Sequence, residues 1–173
     1  MNHVIPLATL AETRWRNGAG RKADIAAGDG WVVGFAWLDI AAPFSDYAGH
    51  DRTITLVDGP GFSLHFPTHD LVVHIARQPT SFDGGAPAQC RIEGPCMVLN
   101  AMTERRLHRH SVTIQPPGPI ACNPDEITIA VSLDGPARFD AQRLQDGITT
   151  TATTAVIRIT DGPTSRDTPA ALG

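Results

Sequence analysis

The sequence predicts an all-β fold, and three observations predict it. Strong helix formers are scarce, since glutamate appears only four times against 14 aspartates, and aspartate favours turns. Threonine is abundant, and 16 glycines and 14 prolines punctuate the chain. Short runs of alternating apolar and polar residues lie between those punctuation points.

Taken in order, Leu7 to Thr13 is a weak helical piece, and Trp31 to Ile40 is the first clear strand, with apolar residues on alternate positions. Arg52 to Val57 and Leu71 to Ile75 are two more, rich in β-branched residues. Leu107 to Ile114, Glu126 to Leu133 and Ala155 to Ile159 follow, with Asp140 to Leu144 as a second weak helical piece. Many short strands of this kind form a sandwich, jelly roll or barrel. Thr53 to Pro60 and Ile129 to Pro136 share a strand followed by Asp-Gly-Pro at an offset of 76 residues. Between them, Gln115-Pro116-Pro117-Gly118-Pro119 cannot continue a central strand and could connect two halves. Two similar small barrels in tandem would explain both features. The alternative is that Asp-Gly-Pro is a common turn, used again at Asp161. On the first reading residues 1–114 form an N-terminal half, 115–160 complete a C-terminal half, and 161–173 are a flexible tail.

Composition narrows the function. A net charge of −4 with a single lysine, Lys22, lacks the electrostatic footprint of a nucleic-acid binder. Met1 to Pro6 has neither the charged nor the apolar region of a signal peptide, and no apolar stretch approaches roughly 18 residues. The expectation is a cytoplasmic protein with neither nucleic acid nor membrane as partner. Cys90, Cys96 and Cys122 form no C-x2-C pair, which predicts neither a disulfide framework nor a cysteine-based metal site.

Catalytic motifs are equally sparse. Ser45 lacks the G-x-S-x-G elbow, Cys90 and Cys96 have no activating neighbours, and Gly18 and Gly20 belong to neither a dinucleotide fingerprint nor a P-loop. No cofactor is expected. His108-x-His110, with Gln115 beyond, is similar to the metal motif of cupin barrels, because both imidazoles of an H-x-H pair share a strand face. Glutamine stands where that motif has a glutamate ligand, however, and Met102 where it has a glycine. Arg105, Arg106 and Arg109 would also oppose a cation. His65, His69 and His74 make a looser group with no carboxylate ligand, so both clusters are expected to be structural.

Several spaced blocks carry a more specific signal. Trp15-x-Asn17-Gly18-x-Gly20, Asp24-Ile25, Phe35-x-Trp37, Pro43-Phe44-Ser45 and Gly49-x-Asp51-Arg52 are followed by Phe82-Asp83-Gly84, Gly94-Pro95 and Asn100-x-Met102-Thr103-x-Arg105. In order and spacing these resemble the HutD/Ves family, from about Trp15 to Arg106. The resemblance implies a bacterial cupin-like β-barrel, a bicupin of two similar halves, associated with histidine utilisation or stress responses, and it brings no definite reaction. For the histidine-utilisation branch it implies sensing or buffering of a small acidic metabolite, such as an N-formylated amino-acid derivative. The chain departs from the family pattern at Ala19, Leu38, His50 and Val98-Leu99. The losses at Leu38 and Val98 could remove one ion pair together or alter ligand choice.

The expected ligand site therefore comprises Trp15, Asn17, Gly18, Gly20, Arg52, Asn100, Met102 and Arg105, with no catalytic and no metal-binding residue. Arg52 offers a planar fork to a carboxylate, unless it pairs with Asp51 or Asp83. Asn17 could orient a ligand or cap its own turn, and Asn100, on an apolar strand, needs a partner from backbone or ligand. Backbone near Gly18 and Gly20 could close on the ligand. Trp15 and Met102 could equally be packing residues, while Arg105 with Arg106 is either a solvated pair or steers an acid to the barrel mouth. Binding is expected rather than turnover, and a homodimer is compatible with it. The competing readings are a metal-dependent cupin isomerase or oxygenase, and a barrel whose edge binds a protein partner.

Overall fold

Two strands show why the layers form as they do. His50–Asp58 and Cys96–Glu104 are buried almost along their whole length, which requires cover on both faces of the sheet that holds them. The structure, a computed structural model, describes residues 1–15 and 18–162, so Asn17 and the end of the expected tail lie outside the described residues.

The strands in chain order are β1 (His3–Ile5), β2 (Thr13–Arg14), β3 (Gly20–Gly28), β4 (Trp31–Leu38), β5 (Ala42–Pro43) and β6 (His50–Asp58). Then come β7 (Phe62–His65), β8 (Asp70–Val73), β9 (Pro79–Asp83), β10 (Gln89–Ile92), β11 (Cys96–Glu104) and β12 (His108–Gln115). The last are β13 (Gly118–Ile120), β14 (Ile127–Ser132), β15 (Ala141–Leu144), β16 (Ile148–Thr150) and β17 (Thr154–Asp161). The only helical element among the described residues is a single 3-10 turn at Leu7–Thr9, so the fold is all-β as expected. The weak helical reading of Asp140 to Leu144 is corrected. Ala141 to Leu144 is strand β15, paired with β1 on one side and β14 on the other, and two ladders outweigh the local propensity.

Four sheets stack in the order four, six, five and two strands. The six-stranded sheet runs β2-β3-β4-β11-β6-β9 and the five-stranded sheet β1-β15-β14-β17-β12. Their facing surfaces meet through Val33, Phe35, Leu99 and Ala101 on one side and Ile129, Val131, Ile157 and Ile159 on the other. The opposite face of the six-stranded sheet, with Leu38, Ile54, Leu56 and Val98, packs on Phe62, Leu64 and Val73 of the sheet β5-β10-β7-β8. A smaller cluster of Ile120, Ala130, Leu144 and Val156 joins the five-stranded sheet to the pair β13-β16.

The pairing pattern occurs twice. The pairs β4·β11, β11·β6, β6·β9 and β5·β10 correspond, in chain order, to β12·β17, β17·β14, β14·β15 and β13·β16. The β7–β8 hairpin has no counterpart between β14 and β15. The boundary at 114/115 falls at the end of β12, whose ladder partner is β17, while β1 pairs with β15, so both strands lie in the second sheet.

An exchanged pair of arginines accompanies this repeat. Arg77 donates to the Leu133 carbonyl at 3.1 Å and to the Asp134 carboxylate at 3.0 Å. Arg138 donates to the Val57 carbonyl at 3.1 Å and to the Asp58 carboxylate at 3.3 Å. Each arginine thus clamps one of the two Asp-Gly-Pro turns, in a reciprocal arrangement like that of an isologous dimer interface. Phe139 reaches across as well, with its ring 5.8 Å from that of Phe35.

Because Phe35 is 1 % exposed and sits where the two sheets meet, Phe35→Ala is expected to cost about 3–5 kcal/mol in urea denaturation. Arg77→Ala, which breaks a partly exposed clamp, is expected to shift the urea midpoint far less.

Candidate functional site

Antiparallel register brings the site together. Across the six-stranded sheet, Arg52 on β6 faces Met102 on β11, which faces Val32 on β4, and Phe82 on β9 flanks Arg52 on its other side. The adjacent row holds Ile54, Asn100, Gly34 and Asp24. These positions share the face turned away from the five-stranded sheet. The segment after β5 folds over them, so that Phe44, Tyr47 and Trp15 wall a cavity of about 530 Å³ with Arg14, Lys22, Asp24, Ser45 and Asp46 around it. That volume is within the usual range for small-ligand sites.

Arg52 is the unusual group in this cavity. It is 8 % exposed, and its guanidinium lies 5.0 Å from the Phe44 ring centre, 5.2 Å from Phe82 and 5.4 Å from Tyr47. Its Nε and Nη2 both donate to Asn100 Oδ1 at 3.3 Å. Among the described residues no carboxylate lies within ion-pair distance of it. The two acids that the sequence offers it are taken by Arg105, which donates to Asp51 and to Asp83 at 2.6 Å each. Burial brings the Arg52 pKa down to about 10, against a smaller opposing effect of Tyr47. Cation–π contact and one amide oxygen offset only part of the cost of burying a cation, and an anion in the cavity would supply the rest.

Of the residues that the sequence singles out, Trp15, Arg52, Asn100 and Met102 line the cavity. Asn17 lies outside the described residues. Arg105 is held in its ion pairs and is not part of the lining, nor are Gly18 and Gly20. The glycines act on Trp15 instead. Gly18 adopts φ 70° and donates its N–H to the Trp15 carbonyl, while a Cβ at Gly20 would lie 2.4 Å from the Trp37 carbonyl and 3.2 Å from the Trp15 ring. Sequence reasoning missed Arg14, Lys22, Asp24 and Tyr47 as lining residues. Lys22 and Asp24 carried a signal, being two apart on one strand face, and their side chains pair at 3.0 Å.

The H-x-H histidines are employed separately. His108 Nε2 hydrogen-bonds the Asp29 carbonyl at 2.8 Å. His110 bridges Thr53 Oγ1 through Nε2 at 2.8 Å and Thr103 Oγ1 through Nδ1 at 2.7 Å, behind the strand segments that carry Arg52 and Met102. His65 contacts Ser63 and Asp70. Among the described residues no group of three or more His, Cys, Asp and Glu is placed to hold a metal ion.

A protein-family model described as HutD matches residues 7–166 of the chain. Among solved structures, HutD from Pseudomonas fluorescens SBW25 is 20% identical and superposes with a TM-score of 0.81, covering 94% of this chain and 100% of that one. A conserved protein of unknown function from Pseudomonas aeruginosa PAO1 is 18% identical with a TM-score of 0.79, covering 95% and 100%. AerE from Microcystis aeruginosa is 8% identical with a TM-score of 0.60, covering 89% and 98%. No curated protein matches the sequence. At these identities the solved structures speak for the fold alone.

Burial lowers the His110 pKa from its ordinary 6.5, with Asp51 opposing in part. The unfolded chain therefore takes up a proton that folded His110 resists, and stability that is present above pH 6.5 is lost as pH falls below it. Melting temperatures measured between pH 7.5 and 5 are expected to fall less steeply in His110→Asn than in the parent.

Proposed function

Since the chain belongs to the HutD family and buries an arginine in a ligand-sized cavity, we propose that it is a non-enzymatic bicupin that binds a small carboxylate there. The observation that carries the reading is the Arg52 guanidinium, 8 % exposed, boxed by three aromatic rings and hydrogen-bonded to Asn100 alone among the described residues. A carboxylate can take two parallel N–H donors from such a fork. Nearby, Trp15 and the Phe44 to Tyr47 segment supply apolar and polar surface for the rest of a small metabolite. Asn100, whose oxygen is engaged by Arg52, keeps its NH2 group for the ligand.

The ligand class extends from formate to N-formylated amino-acid derivatives, and the role is to report or buffer such a metabolite in the regulation of histidine utilisation. HutD from Pseudomonas fluorescens SBW25 has been solved in a formate condition, and formate is the smallest carboxylate that an arginine fork can take. The repeated strand pairing and the exchanged arginine clamps support the bicupin reading, with the ligand held in the N-terminal half of a cytoplasmic protein.

Burying a cation for a ligand costs stability while the ligand is away. In ligand-free buffer Arg52→Met is accordingly expected to melt at or above the temperature of the parent. Formate, acetate and N-formylated amino acids are expected to raise the melting temperature of the parent in proportion to the logarithm of their concentration, and to leave Arg52→Met unmoved. A folded Arg52→Met that is still stabilised by the same acids would refute the reading. Stabilisation of the parent by divalent metals alone would favour a metal-dependent enzyme instead.

A further inference from the structure

The repeat in strand pairing fixes which positions correspond between the halves. Arg52 faces Met102 across β6 and β11, and the matching pair across β14 and β17 is Thr128 facing Arg158. The 76-residue offset of the two Asp-Gly-Pro turns carries Arg52 onto Thr128 as well. The second half therefore keeps a guanidinium in the same row, on the neighbouring strand. Its surroundings also correspond. Arg52 lies under the segment that follows β5, and Arg158 Nη2 donates at 2.9 Å to the carbonyl of Ala121, the residue that follows β13.

The two cations differ in what satisfies them. Arg158 has the Ala121 carbonyl, Thr128 Oγ1 at 3.4 Å and the Glu126 carboxylate at 3.7 Å, and Glu126 is itself steadied by Asn123 Nδ2 at 3.0 Å. The Arg158 and Glu126 side chains are 26% and 19% exposed, so the pair is partly shielded from solvent. Arg52 has Asn100 Oδ1 alone among the described residues.

We propose that the C-terminal half holds a self-liganded counterpart of the Arg52 site, in which the Glu126 side chain is a tethered carboxylate that occupies Arg158 and excludes an external one. A tethered group competes at an effective concentration in the millimolar range, enough to keep a weak free acid such as formate out. One chain then takes one external carboxylate, at Arg52. The proposal rests on the carboxylate reading of Arg52 only for the choice of probe.

Backbone amide NMR spectra recorded during titration with sodium formate test this, because they report each half separately. In the parent, shifts are expected near Arg52 only. In Glu126→Ala a second group is expected at Ala121, Thr128 and Arg158, with affinity there raised by about tenfold or more, and the further change Arg158→Met is expected to remove it. Glu126→Gln keeps the side-chain volume while removing the charge, and serves in the same way if Glu126→Ala does not fold. A folded Glu126 variant with shifts near Arg52 alone overturns the proposal, as does a parent that already binds at both places. Shifts near Arg158 in the variant, with none near Arg52 in any form, would uphold it and refute the Arg52 reading.

Discussion

Face-to-face burial of the six- and five-stranded sheets is the constraint on which the rest of the structure depends. Phe35, Leu99, Ile129 and Ile157 all lie in that layer, each at most 2 % exposed, and no strand between them can shift by one residue without turning its apolar set to the wrong side. The register thus imposed on β6 and β11 decides everything on their other face. Arg52, Asn100 and Met102 point into one cavity because Thr53, Leu99, Ala101 and Thr103 point toward the second sheet.

Within that frame the polar groups are divided with a consistent outcome. Asp51 and Asp83 neighbour Arg52 in sequence or in register, yet both bind Arg105, and alternation accounts for it: Asp51 projects from the strand face opposite to Arg52. Arg52 is left with aromatic faces and an amide oxygen, a setting that tolerates a cation without neutralising it. His110, on β12 of the five-stranded sheet, ties that sheet to the back of the same strands through two threonine hydroxyls, so the cavity wall is braced from behind.

The two occurrences of the strand-pairing pattern are similar but not equal. Reciprocal arginine clamps accompany both, while the β7–β8 hairpin and the cavity walled by Phe44, Tyr47 and Trp15 accompany the first. Arg158 is supplied with a carbonyl, a hydroxyl and a carboxylate, whereas Arg52 has one amide oxygen and, among the described residues, no carboxylate.

By itself the sequence determined the all-β class, six of the strands, the repeated Asp-Gly-Pro turn, the family resemblance and four of the lining residues, because alternation, turn chemistry and motif spacing are local properties. Cys96–Glu104 was legible only as the short apolar strand around Asn100, since a strand buried on both faces loses its alternation. Gly20–Gly28 escaped that reading, being built of small and charged residues with weak strand preference. Tertiary structure alone decided that Ala141 to Leu144 is a strand, that Arg105 removes both acids from Arg52, that the glycines at 18 and 20 seat Trp15, and that Glu126 meets Arg158. The physical reason is the same in each case. These contacts join positions up to more than a hundred residues apart through sheet register, and register is set by the packing of whole layers rather than by any short stretch of chain.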